Sequence, residues 1–367
     1  MTKEFIINCF LLEESDIDEV NDLYNRTYKT ERSNEKFRWE FLHAPAGKSI
    51  YVVAKDTALN KIVGTQCVIP IVLSNSKGEK YLTGKSEDTL VDPNYRGQNI
   101  FEKMYALLFD ECRKAGIQYV WGFTSALKPF RKLGFETPFE HSQSMWVKSS
   151  VDAAEYISAL NPANTFSNKL KIRLLAAWAK IRSKKTLWTS NKLPSAYSLK
   201  ISGSDEQLNL DPLLKKMTGE KENYFFIHQD SEYIKWRLSE NPYTKKLFHF
   251  EFFENKELVA DFIFNFHKNK TWYLVQMAWN GKLNAETKSA MLKKSLKELC
   301  DKEAIAMVRG WNFVHNPANS EEIEILKKAG FVYLNRGISF VWKDISTGEK
   351  LDPNHFLLSR MATQGIF

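Results

Sequence analysis

The chain has 367 residues, 43% of them hydrophobic and 26% charged, with a formal net charge of +8 and a pI near 9.0. That balance suits a globular protein with room for two ordinary domains. It excludes disordered and collagen-like classes, and no apolar run approaches the length of a helical membrane span. The positive excess permits an acidic partner, whether a phosphate-bearing cofactor, nucleic acid or an anionic membrane, without choosing among them. Cys9, Cys67, Cys112 and Cys300 are far apart with no C-x-x-C spacing, and the histidines are scattered. Thiols of a reducing compartment are expected, with neither a disulfide framework nor a metal site.

The apolar start, residues 5–12, runs into Glu13-Glu14 with no small-residue cleavage site. It reads as a first strand rather than a signal peptide, and the expected location is the cytoplasm. Ser15 as N-cap, with Asp18 three residues on, opens a first helix carrying Ile17, Val20 and Leu23 on one face. A second helix over 34–43 stops at Pro45 and Gly47. Strands follow over 50–54, 62–73 and 81–91, the last two joined by the turn Asn75-Ser76-Lys77-Gly78.

The third strand delivers Leu90-Val91-Asp92-Pro93-Asn94-Tyr95-Arg96-Gly97-Gln98-Asn99-Ile100-Phe101. Pro93 cannot serve a ladder, and Gly97 and Asn99 tolerate a positive φ. Apolar residues at Ile100, Met104, Leu107 and Leu108 then mark a helix over 98–114. A tight turn feeding a helix start exposes N–H groups beside the positive end of the helix dipole, and Arg96 adds a charge there. The string is an anion site or an ordinary strand-to-helix turn. A short strand (118–123), a brief helix (126–133) closed by Gly134, and a strand (141–147) complete the half. The order βααβββαβαβ predicts an α+β fold with a mixed, mostly antiparallel sheet flanked by helices.

Residues 164–192 interleave Lys169, Lys171, Arg173, Lys180, Arg182, Lys184 and Lys185 with Leu170, Ile172, Leu174, Leu175, Trp178 and Ile181. This basic amphipathic segment is either a peripheral contact for an anionic membrane or an interdomain helix with a solvated face. Beyond it, the first half recurs. Trp39 precedes Pro45 by six residues as Trp236 precedes Pro242, and Lys132-Leu133-Gly134-Phe135 is echoed by Lys328-Ala329-Gly330-Phe331. Strands over 248–253, 259–266 and 271–278, a helix over 287–299 and a strand over 306–311 lie between. Where the first half has Arg96-Gly97-Gln98-Asn99, the second has Gly281-Lys282-Leu283-Asn284, without the arginine. The expected organisation is a unit over 1–150, a basic helical linker over 151–220 and a degenerate second unit over 221–367. Trp39 and Trp236 read as helix-to-sheet anchors.

The string from Val91 to Phe101 resembles the pyrophosphate-binding pattern of the GNAT-type acyl-CoA N-acyltransferase superfamily. Arg96 fills its first position, with Asn99 and Phe101 where small residues are usual. Gly122-Phe123-Thr124-Ser125 through Gly134-Phe135 is similar to that family's strand, helix and Gly-Phe ending. The doubled form resembles tandem acetyltransferases of polysaccharide loci. The resemblance implies two tandem GNAT-like domains and acetyl-CoA or another acyl-CoA as co-substrate. It assigns cofactor binding to Leu90, Val91, Arg96, Gly97, Gln98, Asn99, Ile100 and Phe101, the backbone N–H near Leu90 or Val91 polarising the thioester. It implies no metal and no nucleic acid. The acceptor would be a small primary amine, with an anionic amino-sugar as one candidate.

A carboxylate must accept the amine proton. Glu87 and Asp88 stand on alternate sides of the strand before the turn. Glu87 matches the family's base position, while both could equally be edge residues paired with basic neighbours. The family's proton-donating tyrosine is replaced by Phe130, and Ser125 reads as the N-cap of the brief helix. Two other functions fit a doubled unit: a scaffold that has lost catalysis, and a tRNA-dependent aminoacyl transferase.

Overall fold

The computed structural model describes residues 6–160, 165–188, 193–203, 208–219, 223–313, 315–346, 348 and 350–363. In the first half, strand β1 (Ile7–Leu11) leads to helices α1 (Ile17–Tyr28) and α2 (Asn34–Leu42), then to β2 (Ile50–Asp56), β3 (Lys61–Asn75) and β4 (Lys80–Val91). Helix α3 (Ile100–Lys114), β5 (Tyr119–Thr124), α4 (Leu127–Lys132) and β6 (Glu140–Val147) follow. Phe5, at the start of the expected first strand, lies outside the described residues. The N-cap of α1 is Asp16, without a side-chain cap bond, because a 3-10 turn at Glu14–Asp16, itself opened by Glu13, precedes the helix; the Glu13 N–H donates to Asp16 Oδ2 at 3.1 Å. Ser15 is therefore not the cap.

Helices α5 (Ser150–Ala159) and α6 (Phe166–Trp188) connect the halves. Of the basic segment expected over 164–192, residues 164 and 189–192 lie outside the described residues. The second half comprises β7 (Tyr197–Ser202), α7 (Asp211–Thr218), β8 (Phe225–Ile227) and α8 (Ser231–Ile234), which continues as one π turn over Lys235–Ser239. Then come β9 (Leu247–Glu254), β10 (Glu257–Phe266), β11 (Thr271–Trp279), α9 (Ala285–Lys302), β12 (Met307–Asn312), α10 (Ser320–Lys328), β13 (Val332–Asp344) and β14 (Phe356–Leu357). Residues 151–220, expected as a helical linker, thus also hold β7, which is hydrogen-bonded to β9 along its length.

One sheet runs through both halves in the order β1-β2-β3-β4-β5-β13-β6-β12-β11-β10-β9-β7. The order reads the same from either edge once β7 is matched to β1. Only β4 with β5, β11 with β12, and the short β8–β14 pair are parallel among the described strands. At the centre the halves exchange their last strands: β13 pairs with β5, and β6 pairs with β12. Each exchanged strand covers an edge that would otherwise present unpaired backbone groups, so neither half is a finished sheet alone.

The same pseudo-twofold relation appears at the two tryptophans. Trp39 Nε1 donates to the Trp236 carbonyl at 2.8 Å, and Trp236 Nε1 donates to the Trp39 carbonyl at 2.9 Å. Their rings stack with centroids 5.5 Å apart. They bind the two halves to each other rather than each anchoring its own helix to its own sheet. Residue i meeting j while j meets i is the mark of an isologous contact.

Candidate active site

Strands β4 and β5 pair only over Thr83–Lys85 and Tyr119–Trp121. Beyond that point they part, leaving a cleft of ≈ 600 Å³ whose walls include Tyr28, Glu87, Asp88, Arg96, Gly122 and Phe130. Gly122 lets the two strands stay close up to this point. A Cβ there would lie 2.8 Å from the Ser86 carbonyl oxygen, too close for any side chain.

The two candidate carboxylates are disposed differently because β4 does not alternate regularly here. Thr65 faces Leu90 and Cys67 faces Glu87, so Asp88 and Thr89 together oppose Gln66 in a β-bulge. Asp88 takes the left-handed conformation, with φ +52°. Its carboxylate accepts from Arg32 Nη1 at 2.8 Å and from the Tyr51 hydroxyl, and both members of the ion pair are buried. Arg32 in turn donates to Asn21 Oδ1 at 2.7 Å, and its guanidinium lies 3.8 Å from the Tyr24 ring centre. Burial alone would pull the Arg32 pKa down, but Asp88 and Tyr51 outweigh it and hold the guanidinium charged. Burial, reinforced by the Asp88 charge, pushes the Tyr51 hydroxyl well up. Asp88 is thereby committed to structure. Glu87, opposite Cys67 on the face that also carries Tyr51, pairs with Lys85 on the same strand. Arg32, Tyr51 and Tyr24 carried no sequence signal, since they come from the α1–α2 loop, from β2 two strands away, and from α1.

At the strand's end, the Asp92 N–H donates to the Val63 carbonyl at 2.8 Å. Ladder bonds alternate along an antiparallel strand, so the Leu90 N–H also faces β3, while that of Val91 faces the free edge of β4. Of the two N–H groups expected to polarise a thioester, Val91 remains and Leu90 is consumed by the ladder. Asp92 Oδ1 accepts the Asn94 N–H at 3.0 Å and folds Pro93–Tyr95 into a 3-10 turn. Gly97 (φ +85°) and Asn99 (φ +56°) both adopt the positive φ expected of them. Helix α3 then starts at Ile100 with no side-chain cap from Asn99, and nothing lies within 4 Å of where a Gly97 Cβ would be. The first N–H groups of such a helix have no intrahelical acceptor. Arg96 is exposed at the mouth of this turn, its Nε 3.4 Å from the Val91 carbonyl.

Phe101 stands where the family's pattern has a small residue. Its ring packs on Tyr105 (4.7 Å between centroids) and Phe130 (5.4 Å). Phe130 is buried in that cluster and has no proton to give. Ser125 does not cap α4; Thr124 Oγ1 accepts the Ala126 N–H instead, at 3.0 Å. Among the described residues, no group of three or more His, Cys, Asp or Glu side chains is placed to hold a metal.

In the second unit the corresponding place is closed. The Asn284 side chain accepts the Thr287 N–H at 2.8 Å and caps α9, and the Gly281 N–H donates to the Lys216 carbonyl of α7 at 3.1 Å. The last parallel pair there is Tyr273 with Arg309, and two residues further on, where Glu87 stands in the first unit, is Val275. The Arg360 guanidinium lies 3.7 Å from the ring centre of Tyr273 on β11 and 5.2 Å from that of Trp311 on β12. Burial pulls its pKa down to about 10.

Residues 10–137 match the family described as "Acetyltransferase (GNAT) domain". That match falls within the first unit and covers its turn at Arg96 and both candidate carboxylates. The same fold extends over the whole of the chain in solved structures. A probable N-acyltransferase of Enterococcus faecalis V583 superposes with a TM-score of 0.64 at 10% identity, over 93% of this chain and 73% of that one. A tandem GNAT protein from the clavulanic acid biosynthesis pathway gives 0.58 at 11% identity, over 94% of this chain and 100% of that one. Saccharomyces cerevisiae N-myristoyltransferase with bound myristoyl-CoA gives 0.57 at 12% identity, over 93% and 85%. No curated protein matches the sequence. The chain has a tandem GNAT architecture, with the two units sharing one sheet.

Proposed function

We propose that the chain transfers an acyl group, in the simplest case acetyl, from acyl-CoA to the primary amine of a small substrate. The observation that carries this reading is the uncapped start of α3, with Arg96 beside it, at the mouth of the cleft where β4 and β5 part. Exposed N–H groups at a helix start suit a pyrophosphate, and Arg96, Gly97, Gln98, Asn99, Ile100 and Phe101 are the residues that would hold it. The Val91 N–H, free of the β3 ladder, would polarise the thioester carbonyl. Leu90, buried at the same strand end, supports the strand rather than the reaction.

In this reaction the amine nitrogen forms a C–N bond as the C–S bond breaks. The amine proton passes to Glu87, either directly or through water. The thiolate, a good leaving group, takes its proton from solvent, since Phe130 cannot supply one. Asp88 serves as a positioning residue: tied to Arg32 and Tyr51, it holds the bulge next to Glu87. Lys85 pairs with Glu87 along the strand.

An amino-sugar, including an anionic one, is the acceptor class this reading favours, supported by the resemblance of the doubled form to tandem acetyltransferases of polysaccharide loci. The first unit, residues 1–150, would hold the cofactor, and the degenerate second unit would hold none. A cytoplasmic location is part of the reading, supported by the four free thiols. Thiol release from acetyl-CoA in the presence of small primary amines, amino-sugars among them, tests the proposal. Release above the rate of hydrolysis is expected. A protein that neither binds nor turns over millimolar acetyl-CoA would be a scaffold, and the proposal would fall.

A further inference from the structure

Helix α6 has two opposite faces of different chemistry. Toward the protein it presents small residues, Ala176, Ala179 and Ser183, all fully buried. Ser183 Oγ accepts the Val147 N–H at 3.0 Å, and Thr186 Oγ1 donates to the Ala329 carbonyl at 3.2 Å. Gly330 lets the helix approach, because a Cβ there would lie 2.1 Å from Thr186 Oγ1. The helix is therefore fixed on the fold through this narrow face.

The opposite face carries Phe166, Leu170, Leu174, Trp178 and Ile181, exposed by 83, 50, 62, 51 and 68%. At about 100° per residue these form one stripe about 120° wide, turned away from Ala176, Ala179 and Ser183. Lys171 and Arg182 fall along one margin of the stripe, and Lys169, Arg173 and Lys180 along the other. Lys184 and Lys185 lie toward its C-terminal end. The helix contains no acidic residue, and it contributes +7 of the chain's formal net charge of +8.

A solvated basic face needs no aromatic or branched apolar side chains. Five of them in one continuous stripe call for a covering surface. The margins say which kind. Lysine and arginine stems lie along apolar material while their heads reach outward, an arrangement that fits apolar side chains entering the acyl boundary and cations meeting lipid phosphates. No helix among the described residues is long and apolar enough to cross a bilayer, so such contact is with its surface.

We infer that the outer face of α6 binds the surface of an anionic lipid bilayer. The stripe supplies partition and the basic margins supply selectivity for anionic headgroups. This inference does not rest on the acyltransfer reading.

Flotation of the full chain with vesicles tests it, using phosphatidylcholine alone and phosphatidylcholine with about one-third phosphatidylglycerol. The chain is expected to float with the anionic vesicles and not the neutral ones, less so as salt rises. Leu174→Ser with Trp178→Ser should reduce anionic-vesicle binding by about tenfold or more. Lys169→Gln, Arg173→Gln and Lys180→Gln together should reduce it by about tenfold or more while leaving the stripe intact. All five side chains are exposed, so an unchanged thermal midpoint accompanies both sets. Absence of binding, or equal binding to both vesicle types, would overturn the inference. So would a dimer dissolved by Leu174→Ser with Trp178→Ser and indifferent to vesicles, which would make this face an interface between copies.

Discussion

The two units start their long helices in opposite ways. In the first, Asn99 leaves α3 uncapped and Gly97 faces open space, while Arg96 stands at the entrance. In the second, Asn284 caps α9 with its own side chain and Gly281 is bonded to the covering helix α7. The strands before these turns differ in the same sense. Glu87 stands in an open cleft, whereas Val275 lies in a split beside which Arg360 is buried. One unit keeps its polar groups available, and the other satisfies them internally. Satisfying a helix start with the chain's own atoms adds stability and removes an anion site, because both uses draw on the same few N–H groups.

Removing the difference at the carboxylate should have the largest effect. Glu87→Gln is expected to lower kcat by about 10²–10⁴-fold while changing the affinity for acetyl-CoA little, as steady-state kinetics would show. An unchanged kcat would move the base elsewhere. The buried pair that shapes the bulge comes next. Arg32→Met leaves the Asp88 carboxylate buried without its cation, at a cost of about 3–5 kcal/mol in denaturant unfolding. A loss below about 1 kcal/mol would place that charge in contact with water.

Reversing the charge at the first turn sharpens the comparison directly. Arg96→Glu should weaken acetyl-CoA binding by about tenfold to a hundredfold without altering the unfolding midpoint, since the side chain is exposed and its removal opens no cavity. The smallest effect belongs to the second turn. Asn284→Ala removes the α9 cap and should cost about 1 kcal/mol of stability, with acetyl-CoA affinity unchanged.

Much of this contrast was legible in the chain. The positive-φ positions at Gly97 and Asn99, the run into α3 and the missing arginine near Gly281 all follow from local residue chemistry, which sequence reports well. The Trp39 and Trp236 echo disclosed the repeat but not that the two indoles exchange hydrogen bonds, because partners 197 residues apart leave no local trace. The exchange of β6 and β13 was hidden for the same reason: a strand's pattern shows which face is apolar, not which neighbour it joins. Strand β7 did leave a signal in the alternation of Tyr197, Leu199 and Ile201, obscured by its setting among polar and basic residues. The split between Glu87 and Asp88 could not be read at all. It depends on a bulge opposite Gln66 and on Arg32 and Tyr51, residues remote in sequence that burial draws together.

The central claim is that one chain has one CoA site and that it lies at the Arg96 turn. Isothermal titration of acetyl-CoA into the full-length protein, its Arg96→Glu variant and its Asn284→Ala variant tests this most directly. The account predicts one equivalent bound per chain, with affinity lost in Arg96→Glu and retained in Asn284→Ala. Two equivalents per chain, or undiminished binding by Arg96→Glu, would contradict it.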